Sequence, residues 1–107
     1  MTSIDLDIPN KIKSRAYRSL FFRAEASARI AEQLISCRKR RGLTQCQLAE
    51  LIGTKQPVIS RIERADYRHW NLNTIFDIAD ALDARVSVVI EPWDDIRALT
   101  ADQLVKK

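Results

Sequence analysis

The chain contains only two glycines, Gly42 and Gly53, and the stretch between them is long enough for no more than one short helix. Leu43-Thr44-Gln45-Cys46-Gln47-Leu48 reads as the start of that helix. Thr44 can cap it, Gln47 three residues on can return a bond to the cap, and Leu43 can staple onto Leu48. Gly42 ends the preceding helix and Gly53 turns the chain out of this one, since glycine enters left-handed backbone without a steric cost. A further helix starts at Thr54 or Lys55, where Pro57 fits the first turn because its missing N–H would have no partner there. Two short helices joined by a tight turn are the fixed point around which the rest must fold.

Apolar periodicity extends this to a helical domain. Residues 24–41 are rich in Ala and Glu at the start and in Arg and Lys at the end, which complements the helix dipole. Positions 27, 30, 31 and 34 form one small or apolar stripe, and the same face continued by four residues reaches Arg38. A charge in line with a buried stripe requires a partner. Leu48, Ala49 and Ile52 face inward from the first short helix, and Val58, Ile59 and Ile62 from the second. After a loop over 65–70, Asn71 can cap a fourth helix through Leu82, with Leu72, Ile75, Ile78 or Ala79, and Leu82 as its stripe. Upstream, residues 11–22 suit a short helix with Tyr17, Leu20, Phe21 and Phe22 as its apolar side, and residues 1–10 read as a loose arm ending at Pro9-Asn10.

The period changes at Arg85. Val86, Val88 and Ile90 alternate with other residues up to Pro92, and β-branched residues at period two predict a strand. One strand leaves its backbone unpaired, so the expected partner is the same strand of a second subunit, making a homodimer. The alternative is an irregular extended segment packed on its own domain. The domain reading is an arm over 1–10, a helical domain over 11–84, a dimerisation strand over 85–92, and a short helix or tail over 93–107 carrying Ile96, Leu99 and Leu104.

Charge narrows the partner. Residues 11–68 hold 14 basic and five acidic side chains, a net +9, whereas residues 69–107 carry a net −3 and residues 1–10 a net −2. That imbalance predicts a polyanion bound to the first two thirds of the chain. Cys37 and Cys46 lack paired spacing and read as reduced, semi-buried residues, while His69 is the single histidine and reads as a loop residue near solvent. A metal site, a cofactor and an enzymatic centre are therefore not expected; Asp94, Asp95 and Glu91 on a tail make a poor cage for a nuclease metal. No apolar run approaches ~18 residues and no basic-then-apolar leader follows Met1, so the expectation is a cytoplasmic chain without a membrane segment.

Two short helices across a glycine turn, in a basic stretch, describe a helix-turn-helix, whose second helix enters the DNA major groove. The run from Arg41-Gly42-Leu43-Thr44-Gln45 through Leu48-Ala49-Glu50-Leu51-Ile52-Gly53 to Ile59-Ser60-Arg61-Ile62-Glu63-Arg64 resembles the Cro/CI-type, or XRE, family of bacterial and phage repressors, over about residues 28–83. The resemblance implies a mainly α, lambda-repressor-like bundle, here with an N-terminal helical extension and the C-terminal strand. It implies base contacts from Lys55, Gln56, Pro57, Ser60 and Arg61. Gln56 can bond adenine N6 and N7, Arg61 guanine O6 and N7, and Pro57 offers only an apolar contact. Gln45 at a helix N-terminus is expected to meet a phosphate, with Thr44 weakly sharing that role and Arg64, Arg68 and His69 as further backbone candidates. The family also pairs an arginine of its first helix with a glutamate ending the recognition helix, which puts Arg38 opposite Glu63.

The strand that replaces a fifth helix looks like the subset that includes antitoxin repressors of the HigA type, and the segment around Tyr17-Arg18 and Phe21-Phe22 resembles an element of short mobile-element regulators. The expected function is a sequence-specific DNA-binding transcriptional regulator, acting as a dimeric autorepressor on an inverted-repeat operator in double-stranded DNA. Alternatives are an antitoxin that also neutralises a toxin protein and an interaction module that has lost DNA binding. No small-molecule ligand is expected.

Overall fold

Nothing in Arg23-Ala24-Glu25-Ala26 breaks a helix, and the two helices expected over 11–22 and 24–41 run together as one, α2 (Arg15–Arg40). The computed structural model describes residues 8–97. Before α2 lies the single turn α1 (Ile8–Lys11), which accommodates Pro9 in its first turn, so the chain is helical two residues before the expected end of the arm. Then follow α3 (Gln45–Ile52), α4 (Gln56–Ile62), α5 (Leu72–Ala81) and the single turn α6 (Trp93–Ile96). The expected helical positions Leu99 and Leu104 lie outside the described residues.

Residues 23–87 make one compact unit. Its core is Leu34, Leu48, Ala49, Ile59, Ile62, Ile78 and Leu82, so α2, α3, α4 and α5 each contribute the face that the periodicity assigns to them. Ala49 is a residue small enough to sit fully buried among these larger side chains. Leu72 departs from expectation. It opens α5 and stays half exposed at 50%, because the first turn overhangs the core that Ile78 and Leu82 reach.

Three helix ends in this unit close in the same way. After α2, Gly42 (φ +70°) places Leu43 N–H on the Arg38 carbonyl and its own N–H on Lys39. After α3, Gly53 (φ +78°) places Thr54 N–H on Ala49 and its own on Glu50. After α5 the left-handed residue is Asp83 (φ +53°), with Ala84 N–H on Ala79. Each is the Schellman closure that satisfies the last helical carbonyls. At the third, Arg41 adds two bonds, from Nε to the Leu82 carbonyl at 2.7 Å and from Nη2 to that of Asp83 at 3.1 Å.

The other unit contains, among the described residues, 8–22 and 88–97. Arg18 organises it: Nη1 donates to the carbonyls of Ile12 (3.2 Å) and Lys13 (3.3 Å), and the guanidinium stacks 4.3 Å from the centre of the Trp93 ring. Tyr17 stacks on Phe21 and Phe22 meets Trp93. Leu20, expected on this apolar side, is 69% exposed. At ~100° per residue it lies well away from the stripe through residues 17, 18, 21 and 22.

The expected β-strand is a correction. Among the described residues there is no strand, and residues 85–92 run without regular secondary structure. A strand exists only through a ladder to a neighbour, and among the described residues no second segment pairs with this one. Val86 is half-buried, while Val88, Val89 and Ile90 are 66%, 75% and 91% exposed.

Candidate nucleic-acid interface

The site is built from the caps outward. Thr44 Oγ1 accepts from Gln47 N–H at 3.1 Å while Thr44 N–H donates to Gln47 Oε1 at 2.8 Å, the reciprocal box that fixes the entry of α3. Gln45 thereby occupies the first position of α3 and Cys46 the second. Gly53 then turns the chain so that α4 packs on α3. Lys55 caps α4 without a side-chain bond, and Pro57 sits in its first turn.

A polar chain ties the two motif helices to α2. Arg38 grips Glu63 with Nε on Oε2 at 2.7 Å and Nη2 on Oε1 at 3.1 Å, and its Nη1 donates to the Leu43 carbonyl at 2.8 Å. Their side chains are only 11% and 6% exposed. Gln45 Nε2 also donates to Glu63 Oε1, at 2.9 Å, and Gln56 Nε2 donates to Gln45 Oε1 at 2.8 Å. The charge-assisted pair at one end is short and strong, so it anchors the two amides in line. An amide nitrogen carries two hydrogens; Gln56 therefore keeps one N–H and its carbonyl oxygen, and Gln45 one N–H, for an outside partner.

The outer face of α4 carries the residues expected to read bases. Ile59 and Ile62 point into the core, which leaves Pro57 and Arg61 on the opposite side and Gln56 and Ser60 on the flanks; Lys55, Pro57 and Arg61 are exposed, and Gln56 and Ser60 are half-buried. Thr44 is exposed and Gln45 half-buried at the start of α3. Beyond α4, Arg61, Arg64, Arg68 and His69 surround one open cleft together with Asp66 and Tyr67. Tyr67 meets both His69 and Trp70 edge-on and its hydroxyl donates to the His69 carbonyl at 3.2 Å. Val86, Val88 and Ile90 lie on the extended segment, apart from these groups in the chain.

Two features escape a reading of the sequence. One is the link between Gln45 and Gln56, which no helical spacing announces because it crosses from one helix to the next. The other is Asp66: Arg64 donates to both of its carboxylate oxygens, at 3.1 and 2.9 Å. That hydrogen-bonded guanidinium, above all, holds the Asp66 carboxyl below the usual carboxylate range. The arginine and the aspartate stand two apart in a loop, where neither period applies. Cys46, expected semi-buried, is exposed at the second position of α3, and Cys37 is half-buried; both are free thiols. No group of three or more potential metal-binding side chains occurs among the described residues, and no described helix is long and apolar enough to cross a membrane.

Comparison with known proteins agrees with this geometry. The sequence profile described as Helix-turn-helix matches residues 34–88, from the last turns of α2 through the residues after α5. Antitoxin HigA1 from two strains of Mycobacterium tuberculosis is 37% identical over 68 residues, which is 64% of this chain and 45% of that protein. The chain thus spans about half the length of these curated relatives. No solved structure matches it significantly. On the profile match, the capped α3–Gly53–α4 pair and the Arg38–Glu63 tie, the chain belongs to the helix-turn-helix family, in its XRE or Cro/CI-type branch.

Proposed function

We propose that this protein is a sequence-specific DNA-binding regulator that presents α4 to the major groove of double-stranded DNA. The observation that carries the reading is the tether of Gln56 through Gln45 to the buried Arg38–Glu63 pair. An amide fixed in this way on an exposed helix face pays little orientation entropy when it meets the edge of a base. In this reading Lys55, Gln56, Pro57, Ser60 and Arg61 face bases, and Thr44, Gln45, Arg68 and His69 face phosphates, while Arg64, the remaining phosphate candidate, is engaged by Asp66 instead.

The regulator acts as a homodimer on an inverted-repeat operator and represses its own promoter. Support for a second copy comes from Val88, Val89 and Ile90, three large apolar side chains in sequence left in water by a single chain. The test is selection of bound sequences from random duplexes. A two-fold-related consensus with half-sites about 10 base pairs apart is expected, and recovery of no consensus would refute sequence-specific recognition.

A second reading, an antitoxin that also neutralises a toxin protein, is favoured by the 37% identity to antitoxin HigA1. It is compatible with the first. Co-expression with the product of a neighbouring gene that arrests growth tests it: rescue by this chain supports the antitoxin role, and continued arrest contradicts it.

A further inference from the structure

The cleft after α4 gathers three guanidinium groups around one carboxylate, and the three are not equivalent. Arg61 is exposed and has no side-chain hydrogen bond or ion pair among the described residues. Arg68 donates from Nη1 to the carbonyls of Ala65 and Tyr67, keeping its full charge. Arg64 is different. Its Nε and Nη2 both go to Asp66, so one edge of the guanidinium fork, of the kind that grips a phosphate in two-pronged fashion, is occupied by a carboxylate.

This pair does little for the fold. Its side chains are 63% and 67% exposed, and ion pairs in that setting are screened by water. Its consequence is electrostatic: Asp66, ionised at neutral pH as an exposed carboxylate is, cancels one cation on a surface that otherwise attracts anions, and the bonded Arg64 guanidinium lowers its proton affinity further.

Resting on the DNA-binding reading above, we propose that Asp66 withholds Arg64 from the DNA backbone and thereby limits sequence-independent binding, making Asp66 a specificity-determining residue. Nonspecific affinity comes almost entirely from phosphates neutralised by cations. A cation withheld therefore weakens binding to every sequence, whereas base contacts from Gln56, Ser60 and Arg61 add only at the operator. The ratio between the two is what a regulator needs amid an excess of competing DNA. The opposite role, in which Asp66 aims Arg64 at a phosphate, predicts the opposite sign.

The experiment titrates the full chain and its Asp66→Asn, Arg64→Ala and doubly substituted variants against a random-sequence duplex and the selected operator at several salt concentrations. Circular dichroism serves as the control for folding. Asp66→Asn should tighten binding to the random duplex by about eightfold at 0.1 M salt and steepen its salt dependence by ~0.9, the increment for one added phosphate contact. The operator preference should fall. Arg64→Ala alone should leave random-duplex binding within about twofold of wild type, and in the double variant it should abolish the gain. Weaker or unchanged binding by Asp66→Asn overturns the proposal, as does a gain that survives removal of Arg64. Absence of binding by wild type and variants alike overturns the DNA-binding reading itself, which distinguishes the two failures.

Discussion

Arg38 and Glu63 stand 25 residues apart in the chain and meet through two hydrogen bonds of 2.7 and 3.1 Å, where the end of α2 faces the end of α4. The pair is nearly shielded from solvent, and Glu63 also receives the amide of Gln45. It therefore joins the frame of the domain to the groups proposed to face DNA.

Removing one partner leaves the other charge shielded and unpaired. Glu63→Ala should cost ~3–5 kcal/mol in chemical denaturation, and Arg38→Ala a similar amount. Replacing both, as Arg38→Met with Glu63→Leu, should recover much of that loss while leaving Gln45 without its anchor. A fully additive double variant would show that the two residues are not coupled.

Asp83 sets a second stability test. It closes α5 in the left-handed region, where a side chain costs about 1–2 kcal/mol and glycine costs little. Asp83→Gly should raise stability by up to ~1 kcal/mol, since its contact with Arg41 at 3.9 Å is exposed and weak. Asp83→Val should lower stability by at least ~1 kcal/mol, because β-branching is poorly accommodated at positive φ. Thermal melts of the two variants check the order.

Positions on α4 separate base reading from backbone contact. Gln56→Ala and Arg61→Ala should each cost ~1–3 kcal/mol on the selected operator and relax preference at one base pair. Gln45→Ala should weaken operator and random DNA together through its lost phosphate contact, with an added loss at the base that Gln56 reads, because Gln45 holds that amide. Binding selections repeated with each variant would show whether the preference changes at one position or at none.

The sequence carried the helical part of this fold well because its signals are local. Thr44 with Gln47, Asn71 and the two glycines act within a few residues of themselves, and the structure shows each in its expected cap, Asn71 Oδ1 accepting from Thr74 N–H at 2.9 Å. Arg38 was marked by its place in line with an apolar stripe, although its partner came from family resemblance and not from spacing. What depended on distant or absent partners was less legible. Alternation over 86–90 signals extended backbone but cannot supply a ladder, Leu20 lies off the stripe that helix geometry draws through Tyr17, Phe21 and Phe22, and Leu72 belongs to a first turn that overhangs the core. Asp83 in a left-handed cap had no glycine to announce it. The clamp from Arg41 and the pairing of Arg64 with Asp66 follow no period.

The extended segment supplies the test of assembly. Val88→Glu combined with Ile90→Glu places charges where three apolar side chains now meet water. Sedimentation should show the wild-type chain as a dimer and the variant as a folded monomer, with operator affinity falling steeply and weak nonspecific binding retained. A variant that remains a tight dimer would place the interface elsewhere, on the N-terminal part of α2 around Tyr17, Phe21 and Phe22.

On the function proposed above, the +9 segment over residues 11–68 and the tethered face of α4 serve to bind duplex DNA. The most direct measurement is the dissociation constant for a random-sequence duplex, followed by fluorescence anisotropy from low to physiological salt. Each phosphate neutralised contributes ~0.9 to the slope of log affinity against log salt, so a steep negative slope of several times that value is the predicted result. A slope near zero, or no binding at low salt by a chain shown to be folded, would rule out duplex DNA as the partner of this surface.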